Sequence, residues 1–265
     1  MNRRLLCLFA LLPAIAFGQS VKNKSAPPPA PEPVVEDKTP RDPNKFAALS
    51  LLGDNVQLIN LTPARGDTVQ SGEWTSSPAG GLDNAVLQSL DAAVKASGKD
   101  REVKLYTSST RSLFGDPANL FVNGKLSLPG KLGEAVRQSG AAKLLLVTRS
   151  RQEPALAAAL PGRILATLEG PGFVLDQRPS AQIGFDGQPG RPVFAPYVSI
   201  RVALVDLSDL KLKREQSLAV ATRMPVAAEA SANPWAATTT EQRVKALEAL
   251  IDAELPKAVA SLVSP

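Results

Sequence analysis

The hydrophobic pattern alternates between two periods. Leu144, Leu145, Leu146 and Val147 form the most apolar run, set between a short basic helix and a loop. Such a run has no polar face to give to water, which predicts a central strand covered on both sides. Phe46–Leu52 is a second buried apolar strand. Gly53, Asp54 and Asn55 supply hairpin-turn chemistry, and Val56 and Leu58 continue with alternation, so a strand hairpin is predicted there. Leu82, Val86, Leu90 and Ala93 recur at helical spacing and Gly98 ends that helix. Val103, Leu105 and Thr107 alternate as a further strand. Leu132, Ala135 and Val136 face inward on a short helix begun by Pro129 and closed by Gly140.

Further on, Val198, Ile200, Val202 and Leu204 share one face of a strand. A turn at Asp206–Lys211 and a return strand over Arg214–Arg223 complete an antiparallel hairpin. Thr238 with Glu241 reads as a capping box. The helix it opens carries Val244, Leu247, Ile251, Leu255, Val259 and Leu262, and Pro256 predicts a kink or a split. Between these elements, residues 62–81 read as a polar loop containing Trp74. Residues 150–196 form a long insertion dense in Gly and Pro. Within it, Ile164–Leu168 and Phe173–Leu175 predict a short hairpin turning at Glu169–Gly172. The predicted class is α/β: one three-layer-like domain, with helices packed on a mixed, mostly buried sheet and the insertion added to it.

The element order resembles a small α/β domain shared by three envelope proteins. They are the periplasmic part of the curli secretion channel, the N-terminal domain of the Tol-system translocation protein, and the lipoprotein activators of penicillin-binding proteins. The resemblance rests on the opening strand Phe46–Leu52, on the strand over Gly140–Val147 after a short helix, and on the hairpin arm Val202–Asp206. It spans roughly residues 46–262 and is one of element order, not of motif. There is also a resemblance to an uncharacterised exported family of proteobacteria, which implies no activity.

Composition refines this picture. The chain has 265 residues, 44% of them hydrophobic, which suits one domain with a real core plus tails. Arg3 and Arg4 precede an apolar stretch, Leu5–Phe17, that is too short to span a bilayer. Ala14, Ala16 and Gly18 offer small residues at cleavage spacing. The expected organisation is a signal peptide over 1–18, a Pro-rich linker over 19–45, and the α/β domain over 46–265 with its insertion at 150–196. Cleavage would leave no transmembrane segment and a periplasmic protein. Residues 26–33 contain five prolines and favour extended polyproline conformation, as a spacer or as a peptide ligand for an aromatic groove. The net charge is +5, or +3 without Arg3 and Arg4, and gives no case for nucleic acid.

The chain has no His, and its single Cys, Cys7, stands at the start of the apolar stretch rather than after it, where a lipidated Cys belongs. Histidine-based triads, thiol nucleophiles and His or Cys metal sites are thereby excluded. Residues 124–131 resemble a phosphate loop, but five residues intervene where four belong, and Leu132 takes the place of the magnesium-binding hydroxyl. Gly170 and Gly172 fail the dinucleotide fingerprint, and Ser208 with Lys211 lacks the partner motifs of penicillin-binding enzymes. No catalytic residue, cofactor or metal is expected. The carboxylates Glu169, Asp176, Asp186 and Asp206 read as solvated loop charges. Trp74, Phe173, Phe185, Phe194 and Trp235 fall in loop-like segments and are the candidate partner-binding residues; the alternative is that they close the ends of the core. The expected role is a non-enzymatic envelope protein binding a protein or peptidoglycan partner through its long loops. A small-molecule or glycan-binding domain and a hydrolase using carboxylates alone are the alternatives.

Overall fold

The computed structural model describes residues 40–63, 68–76, 81–152, 168–178, 192–225 and 233–264. These all belong to one compact unit, Asp37–Pro265. The expected signal peptide, most of the linker and Phe185 lie outside the described residues. The strands are β1 (Asp42–Leu51), β2 (Asn55–Pro63), β3 (Thr68–Ser76), β4 (Glu102–Tyr106), the short pair β5 (Phe121–Val122) and β6 (Lys125–Leu126), β7 (Ala141–Arg149), β8 (Arg151–Gln152), β9 (Leu168–Asp176), β10 (Val193–Asp206) and β11 (Leu212–Ala221). The helices are α1 (Gly81–Ala96), α2 (Gly130–Arg137), the single turn α3 (Pro234–Ala237) and α4 (Thr240–Val263). The class is the mixed α/β arrangement expected from the sequence.

The main sheet runs β3-β2-β9-β10-β7-β1-β4, with β11 on the other edge of β10 and β8 beside β9. β1 lies parallel between β4 and β7. Its pleat sends Phe46 and Ala48 to one face and Ala47, Leu49 and Leu51 to the other. α1 and α4 cover the first face with Leu82, Val86, Leu90, Leu247, Ile251 and Val259. α2 and two 3₁₀ turns cover the second with Val136, Leu113 and Leu120. Leu144–Val147 is buried on both faces, as the unbroken apolar run requires. A third buried cluster joins Ile59, Leu61, Val174, Ala195 and Tyr197 in the β2–β9–β10 half of the sheet.

Several sequence expectations are corrected. β1 and β2 do not form a hairpin. β1 is parallel to β7 and β2 is parallel to β9, while β10 is antiparallel to both β7 and β9. The chain therefore continues in one direction through Gly53 and changes neighbours there. Trp74 lies on β3, a strand paired along its length with β2, and not in a loop. Glu169–Gly172 is no turn; it belongs to β9, where Glu169 pairs with β8, Gly170–Gly172 pair with β10, and Gly172 also pairs with β2. Residues 164–167 of the expected hairpin are outside the described residues. The insertion also ends early, because β10 starts at Val193 and passes through Pro196.

Pro256 does not break α4, which runs unbroken for 24 residues. Asp252, whose carbonyl loses its helical partner, is exposed and open to water. The capping box forms one residue later than read, between Thr239 and Gln242. Among the described residues no helix is long and apolar enough to cross a membrane.

Candidate functional site

Three of the five expected aromatic residues, Phe173, Phe194 and Trp235, come together, but inward. Phe173 and Phe194 are buried in adjacent strands and stack with ring centroids 5.2 Å apart. Trp235 meets both edge-on, at 5.5 and 6.2 Å. The Arg243 guanidinium lies 4.0 Å from the centroid of the half-buried Trp235 ring, and it donates hydrogen bonds to the carbonyls of Trp235 and Thr238. Together with Val56, Thr75 and Leu247 these groups leave only about 20 Å³ of free space. Strand alternation aims Phe173 and Phe194 at α4, and both rings are buried in the core there. Phe185 is outside the described residues.

A different site lies at the carboxyl ends of β1, β4 and β7. These three strands are parallel, and α1 and α2 cross on opposite faces of them, which is where open α/β sheets form their ligand crevices. A cleft of about 810 Å³ opens there. The break after β1 contributes Gly53, Asp54 and Asn55; the first turn of α1 gives Asp83 and Asn84; the segment after β4 gives Thr107, Ser108, Ser109, Arg111 and Phe114; the end of β7 gives Arg149.

Two charged groups fix this geometry. Asp83 is buried. Its Oδ1 accepts from the Ser50 hydroxyl at 2.5 Å and from the Leu52 amide at 2.9 Å, and its Oδ2 accepts from the Gly53 amide at 3.0 Å. Burial pushes its carboxyl above the usual carboxylate range, against the downward pull of those hydrogen bonds. Arg149 donates from Nε to the Leu52 carbonyl at 2.7 Å and from Nη2 to the Asn55 carbonyl at 3.0 Å. Burial pulls its guanidinium below the ordinary arginine range, and Glu169 and Asp83 pull it back up. One residue thus ties the end of β7 to the point where β1 becomes β2.

Gly53 has φ +70°, and a Cβ there would stand 3.0 Å from the Phe114 ring. Glycine therefore serves both the backbone turn and the close approach of the aromatic wall. On the far side of Arg149, Gly170, with φ +66°, would place a Cβ 3.0 Å from the Arg149 Cγ. Among the described residues no three His, Cys, Asp or Glu side chains group as metal ligands. Of the carboxylates singled out in the sequence, Asp176 is buried and paired with Arg178, Glu169 pairs with Arg151, and Asp206 accepts from Ser208. None of these three lines the cleft, and Asp186 lies outside the described residues.

Sequence reasoning passed over the cleft residues. Asp83 reads as an ordinary acidic residue in a helix's first turn, and Arg149 as the polar end of a strand. The one available signal was the hydroxyl-rich run Thr107–Thr110 placed directly after a strand.

No family model and no curated protein matches the sequence. Among solved structures, the chain is similar to a DUF330-family protein of Xanthomonas campestris at 10% identity and TM-score 0.36, covering 85% of this chain and 87% of that one. It is similar to PelC of Paraburkholderia phytofirmans, a dodecamer, at 11% identity and TM-score 0.31, covering 86% and 94%. It is also similar to a neuraminyllactose-binding hemagglutinin homologue of Helicobacter pylori at 6% identity and TM-score 0.30, covering 84% of each chain.

Proposed function

We propose that the protein is an exported, non-enzymatic binding module of the bacterial cell envelope, and that it holds a cell-wall or protein partner in the cleft at the carboxyl edge of β1, β4 and β7. The observation that carries this reading is how the cleft is built. Its inner ionic groups, the buried Asp83 and the half-buried Arg149, are hydrogen-bonded to backbone groups of the cleft floor. A catalytic carboxylate must reach the proton it transfers. Asp83 spends both oxygens on Ser50, Leu52 and Gly53, which suits a fixed binding surface and disfavours the carboxylate-only hydrolase. The outer rim, with Asn84, Thr107, Ser109 and Arg111 exposed, supplies the polar contacts.

The address rests on the arginine-then-apolar start, and the Pro-rich stretch after it reads as a spacer. The likeness in element order to the three envelope proteins supports the same compartment. The test places a photoreactive amino acid at Ser109, with Lys245 on the exposed side of α4 as control, in the native host. Capture of one envelope component from Ser109 alone, by a chain whose N-terminus begins between Phe17 and Val21, is the expected result. An intact Met1 on a cytosolic chain, or capture from Lys245 and not from Ser109, refutes the reading.

A further inference from the structure

We infer that the cleft selects a neutral, hydroxyl-rich ligand, namely a segment of glycan. This rests on the proposed binding role of the cleft and names its ligand class. Charge comes first. Two acidic side chains, Asp54 and Asp83, are matched in number by two basic ones, Arg111 and Arg149, so the lining among the described residues carries no net charge with which to favour an anion or a cation. The inner pair is already engaged with the protein: Asp83 accepts three hydrogen bonds and Arg149 bridges two carbonyls.

The rim contributes short side chains that both donate and accept. Asn84 offers an amide, and Thr107 and Ser109 offer hydroxyls. A sugar ring presents the same dual groups at close spacing, which a carboxylate or a phosphate, acceptors only, does not match. Among the described residues the lining holds no aliphatic side chain, which argues against a lipid or an apolar metabolite. Phe114 is seated on Gly53 and half-buried, and its ring offers an apolar surface for the C–H face of a sugar. The cleft volume of about 810 Å³ is ample for more than one ring.

The test titrates the full exported chain with triacetylchitotriose and maltotriose, reading amide shifts by NMR, with inorganic phosphate and the dipeptide Ala-Ala as comparison probes. Saturable shifts confined to Gly53–Asn55, Asn84 and Thr107–Arg111, from at least one trisaccharide, are expected. Asn84→Ala and Ser109→Ala, both at exposed positions, should each weaken that binding by about threefold to tenfold with unchanged melting temperature. Phosphate or dipeptide shifting the same amides while both sugars fail overturns the glycan class and leaves the cleft as the binding site. Shifts at none of these residues with any probe overturn the glycan inference, and the crosslinking experiment then decides the binding role on its own.

Discussion

Gly172 tests the packing of the sheet more sharply than any larger residue. It lies on β9 opposite Gln57 of β2 and opposite Tyr197 of β10. A Cβ there would stand 2.3 Å from the Gln57 carbonyl oxygen and 2.5 Å from the Tyr197 hydroxyl, about 1 Å inside ordinary contact on two sides. Neither neighbour can yield cheaply. The Gln57 oxygen is backbone, and Tyr197 is fully buried with its hydroxyl donating to the Gln57 Oε1 at 2.6 Å.

Forcing a methyl into such a site costs about 1–3 kcal/mol. Displacing the tyrosine adds about 1–3 kcal/mol for a buried hydroxyl without its partner. Gly172→Ala should therefore destabilise by about 2–6 kcal/mol. The bare propensity effect has the opposite sign, since Ala in a strand is favoured over Gly by about 0.5–1 kcal/mol, so the sign alone discriminates. Urea melts followed by circular dichroism give the value. Tyr197→Phe in the same background removes the hydroxyl contact and should recover part of the loss, while the ring carbon at 2.6 Å keeps the recovery incomplete. An alanine variant as stable as the wild type would refute the close approach of β2, β9 and β10.

Three further outcomes are expected. Leu145→Ala, at a fully buried position between Ala48 of β1 and Leu204 of β10, should cost about 2–5 kcal/mol, and a loss below about 1 kcal/mol would mean that β7 is not central. A double-mutant cycle of Trp235→Leu with Arg243→Gln should give a coupling of about 0.5–2 kcal/mol for the stacked cation; zero coupling removes that contact from the account. The third concerns pH. Because the folded state holds the Asp83 proton more tightly than the unfolded chain, this group favours folding most below its unfolded pKa, and the gain is lost as pH rises through the raised folded value. The stability difference between wild type and Asp83→Asn should then tilt toward the wild type on acidification, and a tilt the other way contradicts the buried carboxyl.

The parts of the fold legible in the sequence are those whose cause is local. Period-2 and period-3.6 patterns located β1, β4, β7, the β10–β11 hairpin, α1, α2 and α4, because each buries a face that its own sequence defines. The misreadings arose where a residue's meaning depends on a distant neighbour. Gly170, Pro171 and Gly172 carry turn chemistry, yet they lie in a strand because they pair with Ser199, Val198 and Tyr197 of β10, and the two glycines admit the close approach of Arg149 and Tyr197. Phe173 and Phe194 face α4 only because β9 and β10 run on through the Gly- and Pro-rich segment, and local composition there does not show those strands.

The cleft was hidden by a related effect. Gly53, Asp54 and Asn55 have the composition of a reversal, and a reversal would have laid β2 against β1. β1 is already flanked on both sides, by β4 and β7, so no edge is left for β2. The chain must instead step sideways to β9, and the step exposes the backbone groups of Leu52, Gly53 and Asn55. Asp83 and Arg149 satisfy those groups, with opposite charges suited to amides and carbonyls respectively. Among the described residues the carboxyl ends of β1, β4 and β7 are lined by short polar segments. The splice that joins the two halves of the sheet and the floor of the cleft are therefore one structure, and a substitution that loosens Arg149 should disturb stability and binding together.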